Sequence, residues 1–141
     1  MSKIHSILAA TDLSTPARHA AERAAQISQQ HGAALCLLHV ANLAPLQRLR
    51  QMLTSSPESV ELKVLATARE RLQTEANALH ARYGVNVDDR LVVGSLITEI
   101  RSIADELATG LLVCGARGES LLRHMLLGST AERMLSNTTR P

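Results

Sequence analysis

The chain has 141 residues, enough for one domain with a single buried core and no disulfides. Its 45% hydrophobic content comes from Ala, Leu, Val and Ile, with one Tyr and no Trp or Phe, which argues against an aromatic stacking platform for single-stranded nucleic acid. A formal charge of +2, with basic and acidic residues interleaved, leaves no electrostatic footprint for duplex DNA either.

No apolar run reaches membrane-spanning length, and the first residues lack a basic-plus-apolar leader pattern, so the expectation is a soluble, cytoplasmic protein. Cys36 and Cys114 fall in short apolar runs, with no Cys-x-x-Cys and no regular spacing to a histidine. They read as core thiols of a reduced protein.

In chain order, Ile4 to Ala10 reads as a first strand that ends in Thr11-Asp12. Thr15-Pro16 then supplies an N-cap hydroxyl and a proline at the first helical position. The helix is expected to run to about His31, with Ala17, Ala20, Ala21, Ala24, Ile27 and Ser28 on one face and Gly32 closing it. Leu35 to Val40 is a second strand, apolar except for His39. Ala41 to Ser56 has no regular pattern and reads as a long loop able to fold over a ligand. Thr54-Ser-Ser-Pro57 starts a long helix carrying Leu65, Ala68, Leu72, Ala76 and Leu79 at spacings of three and four, closed by Gly84. Val87 to Val93 is a third strand, polar at Asp88 to Arg90 and so near a sheet edge. Gly94-Ser95 leads into a helix with Ile97, Ile100, Ile103, Ala104 and Leu107 inward, which Gly110 is expected to close before a fourth strand, Leu111 to Cys114.

Beyond that strand comes Gly115-Ala-Arg-Gly118, then nine residues, then Gly128-Ser129-Thr130 at the start of a final helix-forming run, Ala131 to Leu135. Ser129 and Glu132 have the spacing of a capping box. Glycines let the backbone approach a ligand, and a helix N-terminus offers free N–H groups and positive dipole charge. The order strand, glycine loop, helix start therefore points to an anion site. It is not a Walker A loop, because no lysine follows Gly128. As the bland alternative, it is a glycine turn before a last helix.

The pattern βαβαβαβ plus a final helix predicts one α/β domain over residues 1–141: an open parallel sheet with helices on both faces. Such sheets bind ligands beyond the carboxyl ends of the strands where the strand order reverses. If strand one is central, with strands two and three on one side and four on the other, that crevice lies between strands one and four, and Asp12 and Gly115 would both face it. Asp12 suits a ribose, a base or a metal, or else caps the first helix with Ser14. Arg117 either contacts phosphate or is a solvated loop residue. Ser129 and Thr130 suit phosphate oxygens, and His39 reads as a hydrogen-bonded structural residue at the sheet terminus. The histidines show no metal spacing, and no nucleophile–base pair or carboxylate dyad is visible, so an efficient hydrolase is not supported.

Ile7-Leu-Ala-Ala-Thr-Asp12-Leu-Ser14, Leu37-Leu-His-Val40, Gly94 and the Gly-x2-Gly-x9-Gly-(Ser/Thr) loop ending in Leu127-Gly-Ser-Thr-Ala-Glu132 together resemble the ATP-binding branch of the universal stress protein family. The resemblance implies a Rossmann-like α/β fold with strand order 3-2-1-4-5 (3-2-1-4 without the fifth strand), frequent homodimers, and ATP bound with Mg2+ or Mn2+ held largely through the phosphates. It implies that Ala10 and Asp12 line the adenosine pocket, with Asp12 near the ribose, and that Val40 meets adenine through its backbone. Cys114 and Gly115 would flank the nucleoside, and Gly118, Gly128, Ser129 and Thr130 would cradle the phosphates. The family's fifth strand, a proline followed by an apolar run, would begin where the sequence reaches Asn137-Thr-Thr-Arg-Pro141, so the expectation is a truncated chain or a differently built dimer. The resulting reading is an ATP-binding regulatory or sensor module in stress response, with at most weak ATPase activity. Its rivals are a nucleotide-free dimeric interaction module and an adenylyl-group transferase.

Overall fold

The computed structural model describes residues 4–52 and 58–115. Their elements run β1 (Ser6–Ala10), α1 (Thr15–His31), β2 (Ala34–Ala41), α2 (Ala44–Met52), α3 (Glu58–Tyr83), β3 (Val87–Val93), α4 (Leu96–Glu106) and β4 (Leu111–Cys114). The strands pair in parallel in the order β3-β2-β1-β4. Ile7 lies opposite Leu35 on one side and Leu111 on the other, which puts β1 inside the sheet. This is the Rossmann-like order that the family resemblance implies.

Both faces of the sheet are covered, as a parallel sheet requires. Successive strand residues point to opposite faces. Ile7 and Ala9 of β1, with Leu35 and Leu37 of β2, pack with Ala21, Ala24 and Ala25 of α1 and Ala68, Leu72, Ala76 and Leu79 of α3. Leu8, Ala10, Cys36 and Leu38 face the other way, against Ile100, Ile103 and Ala104 of α4. The alanine face of α1 lets its backbone lie close to the strands, while α3 contributes bulk through Leu72, which is 1% exposed. Burying a leucine of that kind stabilises by ~1.5–3 kcal/mol. Among the described residues no helix is long and apolar enough to cross a membrane.

The structure departs from the sequence expectations in three local places. The N-cap of α1 is Ser14, not Thr15: Ser14 is extended and its Oγ accepts the Ala17 N–H at 3.3 Å. The Asp12 side chain turns the chain at Ser14, which starts the helix one residue early and leaves Pro16 still inside the first turn, where a missing N–H costs nothing. The stretch after β2 is not an irregular loop, because Ala44–Met52 is helical. Asn42 Oδ1 accepts the Ala44 N–H at 3.1 Å, and Pro45 follows in the first turn, so the start signal is a side-chain cap one residue further out than usual.

The third departure is at the end of α4, which Gly110 does not close. Ala108 takes the left-handed conformation (φ 49°), with Thr109 N–H donating to Ala104 O at 2.9 Å and Ala108 N–H to Asp105 O at 3.2 Å. That is the same terminal geometry that Gly32 supplies to α1 at φ 64°. In α4 an alanine carries the strain instead.

Candidate functional site

The site follows from where the strands stop. In a parallel ladder the N–H and C=O of one residue point to the same neighbour, and successive residues alternate sides. Leu38 of β2 presents its carbonyl to β1, accepting Thr11 N–H at 2.8 Å, while Ala41 presents its carbonyl away from β1, accepting Gly94 N–H at 3.0 Å. The alternation therefore turns the N–H and C=O of Val40 toward the β1 side. There β1 has already ended, since its pairing with β2 stops at Ala10 opposite Leu38. The same rule on β4, paired at Cys114 opposite Ala10, turns the Cys114 carbonyl toward the peptide of Asp12. A crevice edged by peptide groups results.

Four residues, Thr11 to Ser14, carry the chain from β1 into α1 and shape one wall. Thr11 Oγ1 accepts Leu13 N–H at 3.0 Å, and Asp12 Oδ1 accepts Ser14 N–H at 3.0 Å. Leu13 is buried and sits at φ 67°, in the left-handed region that a branched side chain disfavours. Two distant side chains hold this turn. His39 Nδ1 lies 2.8 Å from the Thr11 carbonyl, and because a carbonyl only accepts, that nitrogen carries the proton. His39 thereby occupies the carbonyl that a longer β1 would have offered to Val40. Arg71 of α3 donates from Nη2 to Leu13 O at 2.7 Å.

The crevice opens into a cleft of 530 Å3, of the size small ligands occupy. Ala10, Thr11 and Asp12 line it from β1, and Val40 to Leu43 from the end of β2. Pro45 and Leu46 of α2, Val64 of α3 and Leu96 of α4 close its apolar sides. The helix that the sequence pattern does not reveal is thus a wall of the cleft. Asp12 and His39 are the titratable groups lining it among the described residues. A second groove of 450 Å3 runs between α1 and α3, with Leu13, Arg18, Glu22, Arg71 and Glu75 among its walls. Glu75 is buried there; burial raises its carboxyl pKa, with Arg18 and Arg71 opposing.

Of the residues proposed from the sequence, Ala10, Asp12, Val40, Cys114 and Gly115 come together at the carboxyl ends of β1, β2 and β4. One Asp12 oxygen organises the turn into α1, and the residue also lines the cleft. Gly115 runs against the first turn of α1, where an added Cβ would lie 3.0 Å from Ala17 Cα. Cys36 and Cys114 are free thiols, pushed by burial up to about 11 and about 12. Arg117, Gly118, Gly128, Ser129 and Thr130 lie outside the described residues. No group of three or more His, Cys, Asp or Glu suited to a metal occurs among the described residues. Sequence reasoning missed Arg71 altogether, since nothing in a charged helix face marks one arginine for a partner 58 positions away.

Comparison with known proteins agrees with this architecture. The profile of the Universal stress protein family matches residues 3–141. The chain belongs to the universal stress protein family. A universal stress protein of Methanocaldococcus jannaschii, MJ0531, is 27% identical over 135 residues, covering 96% of this chain and 78% of that one. Among solved structures, UspA from Lactobacillus plantarum superposes with a TM-score of 0.78 at 20% identity, over 99% of this chain and 96% of its own. A universal stress protein solved in complex with cAMP superposes with a TM-score of 0.71 at 22% identity, over 99% of this chain and 94% of its own. At those identities the structural likeness establishes the fold.

Proposed function

We propose that this chain binds an adenine nucleotide, ATP foremost, in the cleft at the ends of β1, β2 and β4, and acts as a regulatory or sensor module of a cytoplasmic stress response. The observation that carries the reading is the peptide edge of Val40, turned into the cleft beyond the end of β1. Its N–H and C=O offer one donor and one acceptor side by side, which complements the N1 acceptor and N6 amino donor of adenine. The apolar walls from Pro45, Leu46 and Leu96 suit a flat base. Asp12 would accept from the ribose hydroxyls, with Ala10, Cys114 and Gly115 flanking the nucleoside. Arg117, Gly118, Gly128, Ser129 and Thr130 would receive the phosphates, with Mg2+ or Mn2+ held through the phosphate oxygens. The relative solved with cAMP supports an adenine ligand in this fold.

Hydrolysis would be slow or absent. A general base must be free to take a proton from the attacking water. The sequence offers no nucleophile–base pair and no carboxylate dyad for that step. A homodimer is part of the proposal, as is common in the family the sequence resembles.

The test is direct. The purified protein is denatured, any released nucleotide is identified by chromatography, and ATP, ADP, AMP and cAMP are titrated into nucleotide-free protein. With one Tyr and no Trp, the protein absorbs weakly, so bound adenine stands out. Saturable ATP binding that a bulky substitution at Gly118 or Gly128 abolishes is the expected result. Absence of binding to any adenine nucleotide would leave the glycine stretch as a turn and favour an interaction module.

A further inference from the structure

We propose that Arg71 of α3 is a positioning residue that sets the ligand-facing carboxylate of Asp12 through a single peptide unit. The inference rests on the reading of Asp12 as a nucleotide contact. Its physical basis is the Leu13–Ser14 peptide, which is bonded at both ends. Its carbonyl accepts from Arg71 Nη2 at 2.7 Å, and its N–H donates to Asp12 Oδ1 at 3.0 Å. A charged donor on the carbonyl polarises the amide and strengthens the bond its N–H makes, because hydrogen bonds in a chain reinforce one another. The guanidinium therefore acts on Asp12 without touching it.

The backbone makes this arrangement sensitive. Leu13 is held at φ 67°, where a side chain with a Cβ is disfavoured, and such a conformation persists only when its surroundings over-determine it. Rotation about the Leu13 N–Cα bond is the natural relaxation, and it swings the Leu13–Ser14 peptide with it. It would carry the Ser14 N–H away from Asp12 and release the carboxylate from its orientation. The buried Leu13 side chain and the bond from Arg71 of α3 oppose that rotation, while His39 of β2 holds the Thr11 carbonyl, on the other side of Asp12, at 2.8 Å. Asp12 is thus bracketed by peptide groups fixed from two different elements. Arg71 and Asp12 also line a common recess of 410 Å3 with His39, Lys63 and Thr67. The planar guanidinium fixes the direction of this donor, which the freely rotating ammonium of a lysine does less well.

The experiment uses the full chain with Arg71→Met and Arg71→Lys, each tested in the wild-type and Asp12→Ala backgrounds. Two readouts are taken. In ligand-free protein, the Ser14 amide is followed by 1H–15N NMR for its proton shift and solvent exchange. In parallel, ATP affinity is measured by calorimetry. Arg71→Met is expected to move the Ser14 amide proton upfield, to speed its exchange, and to weaken ATP about tenfold, the scale of losing one hydrogen bond to a charged group. Arg71→Lys should recover part of both effects. In the Asp12→Ala background Arg71→Met should leave ATP affinity unchanged, which a general loss of stability would not do. An unmoved Ser14 amide, or an equal affinity loss in both backgrounds, overturns the proposal. If wild type binds no adenine nucleotide, the nucleotide reading fails, and the amide readout alone decides whether Arg71 holds Asp12. Should Arg71→Met not fold, Arg71→Gln, with a shorter donor, carries the same test and is expected to give the same shift in smaller measure.

Discussion

Gly115 offers the sharpest test of how the crevice is built. Its backbone meets the first turn of α1, and a Cβ added there would lie 3.0 Å from Ala17 Cα, 3.3 Å from Ala17 N and 3.5 Å from Ala17 Cβ. The first two atoms are backbone of a helix anchored by the Ser14 cap and the buried Ala17 and Ala21, so they do not yield by a rotamer change. Gly115→Ala must instead push the end of β4 away from α1 by a few tenths of an ångström. Overpacking of that kind costs about 1–3 kcal/mol. For a chain of this length each kcal/mol lowers Tm by about 3 °C, so a fall of about 3–9 °C is expected in thermal denaturation, with an unchanged urea m-value. Ala17→Gly is the control. It removes only the atom at 3.5 Å and leaves both closer ones, so the double variant should stay as unstable as the single one or more so. Recovery of stability in the double variant, or a Tm within 1 °C of wild type for Gly115→Ala, would refute a backbone-on-backbone approach.

Three further outcomes follow from single side chains. Glu75 is 8% exposed and its Oε1 has no hydrogen-bond partner. Its carboxyl pKa is raised by burial, so the stability it contributes is present below the ordinary carboxylate value and lost as pH rises through the raised one. Glu75→Met should therefore raise stability by ~1–3 kcal/mol at pH 7 and lose that advantage toward pH 4, measured by urea midpoints across pH. Cys36 and Cys114, held up to about 11 and about 12, stay protonated at neutral pH, so iodoacetamide at pH 7.5 should leave both unmodified in the folded protein and label both in urea, by mass spectrometry. These raised values stabilise the fold fully below pH 9 and progressively less above it. At the end of α4, Ala108→Gly relieves a left-handed alanine and should raise stability by ~0.5–1 kcal/mol in thermal melts.

The sheet was legible because its signals are local and repeated. Four short apolar runs alternate with helical periodicity, and α/β topology then leaves few arrangements. Asp12 and Gly115 were legible as a pair because each ends a strand at the point where the order reverses. Other features hide for separate reasons. α2 begins with an apolar residue, and its cap comes from Asn42 one position further out, so the usual start signal is displaced. Ala108 stands where glycine is expected, and Gly110, two residues on, draws the eye to the wrong position. Arg71 acts across 58 residues on a backbone carbonyl, which no sequence pattern encodes. His39 shows in the sequence as the one polar residue in an apolar strand, but its partner, the Thr11 carbonyl, does not.

Much of the cleft is built from peptide groups, and that makes one substitution unusually informative. The Val40 N–H points to the side where β1 has ended, while the ladder to β3 runs through the residues on either side, as Ala41 O to Gly94 N–H illustrates. A proline at position 40 would remove a donor the sheet does not use, and its fixed φ of about −65° is tolerated where no ladder bond is lost. The residue before it, His39, already lies in a strand, the conformation a following proline favours. Val40→Pro should therefore fold, with the expected α/β circular dichroism and a modest loss of Tm, yet lose most of its affinity for adenine nucleotides. Val40→Ile, which changes the side chain and keeps the peptide, should bind nearly as well as wild type. Equal binding by the proline variant would mean that the base is recognised by side chains, and the edge of β2 would lose its place in the proposed site.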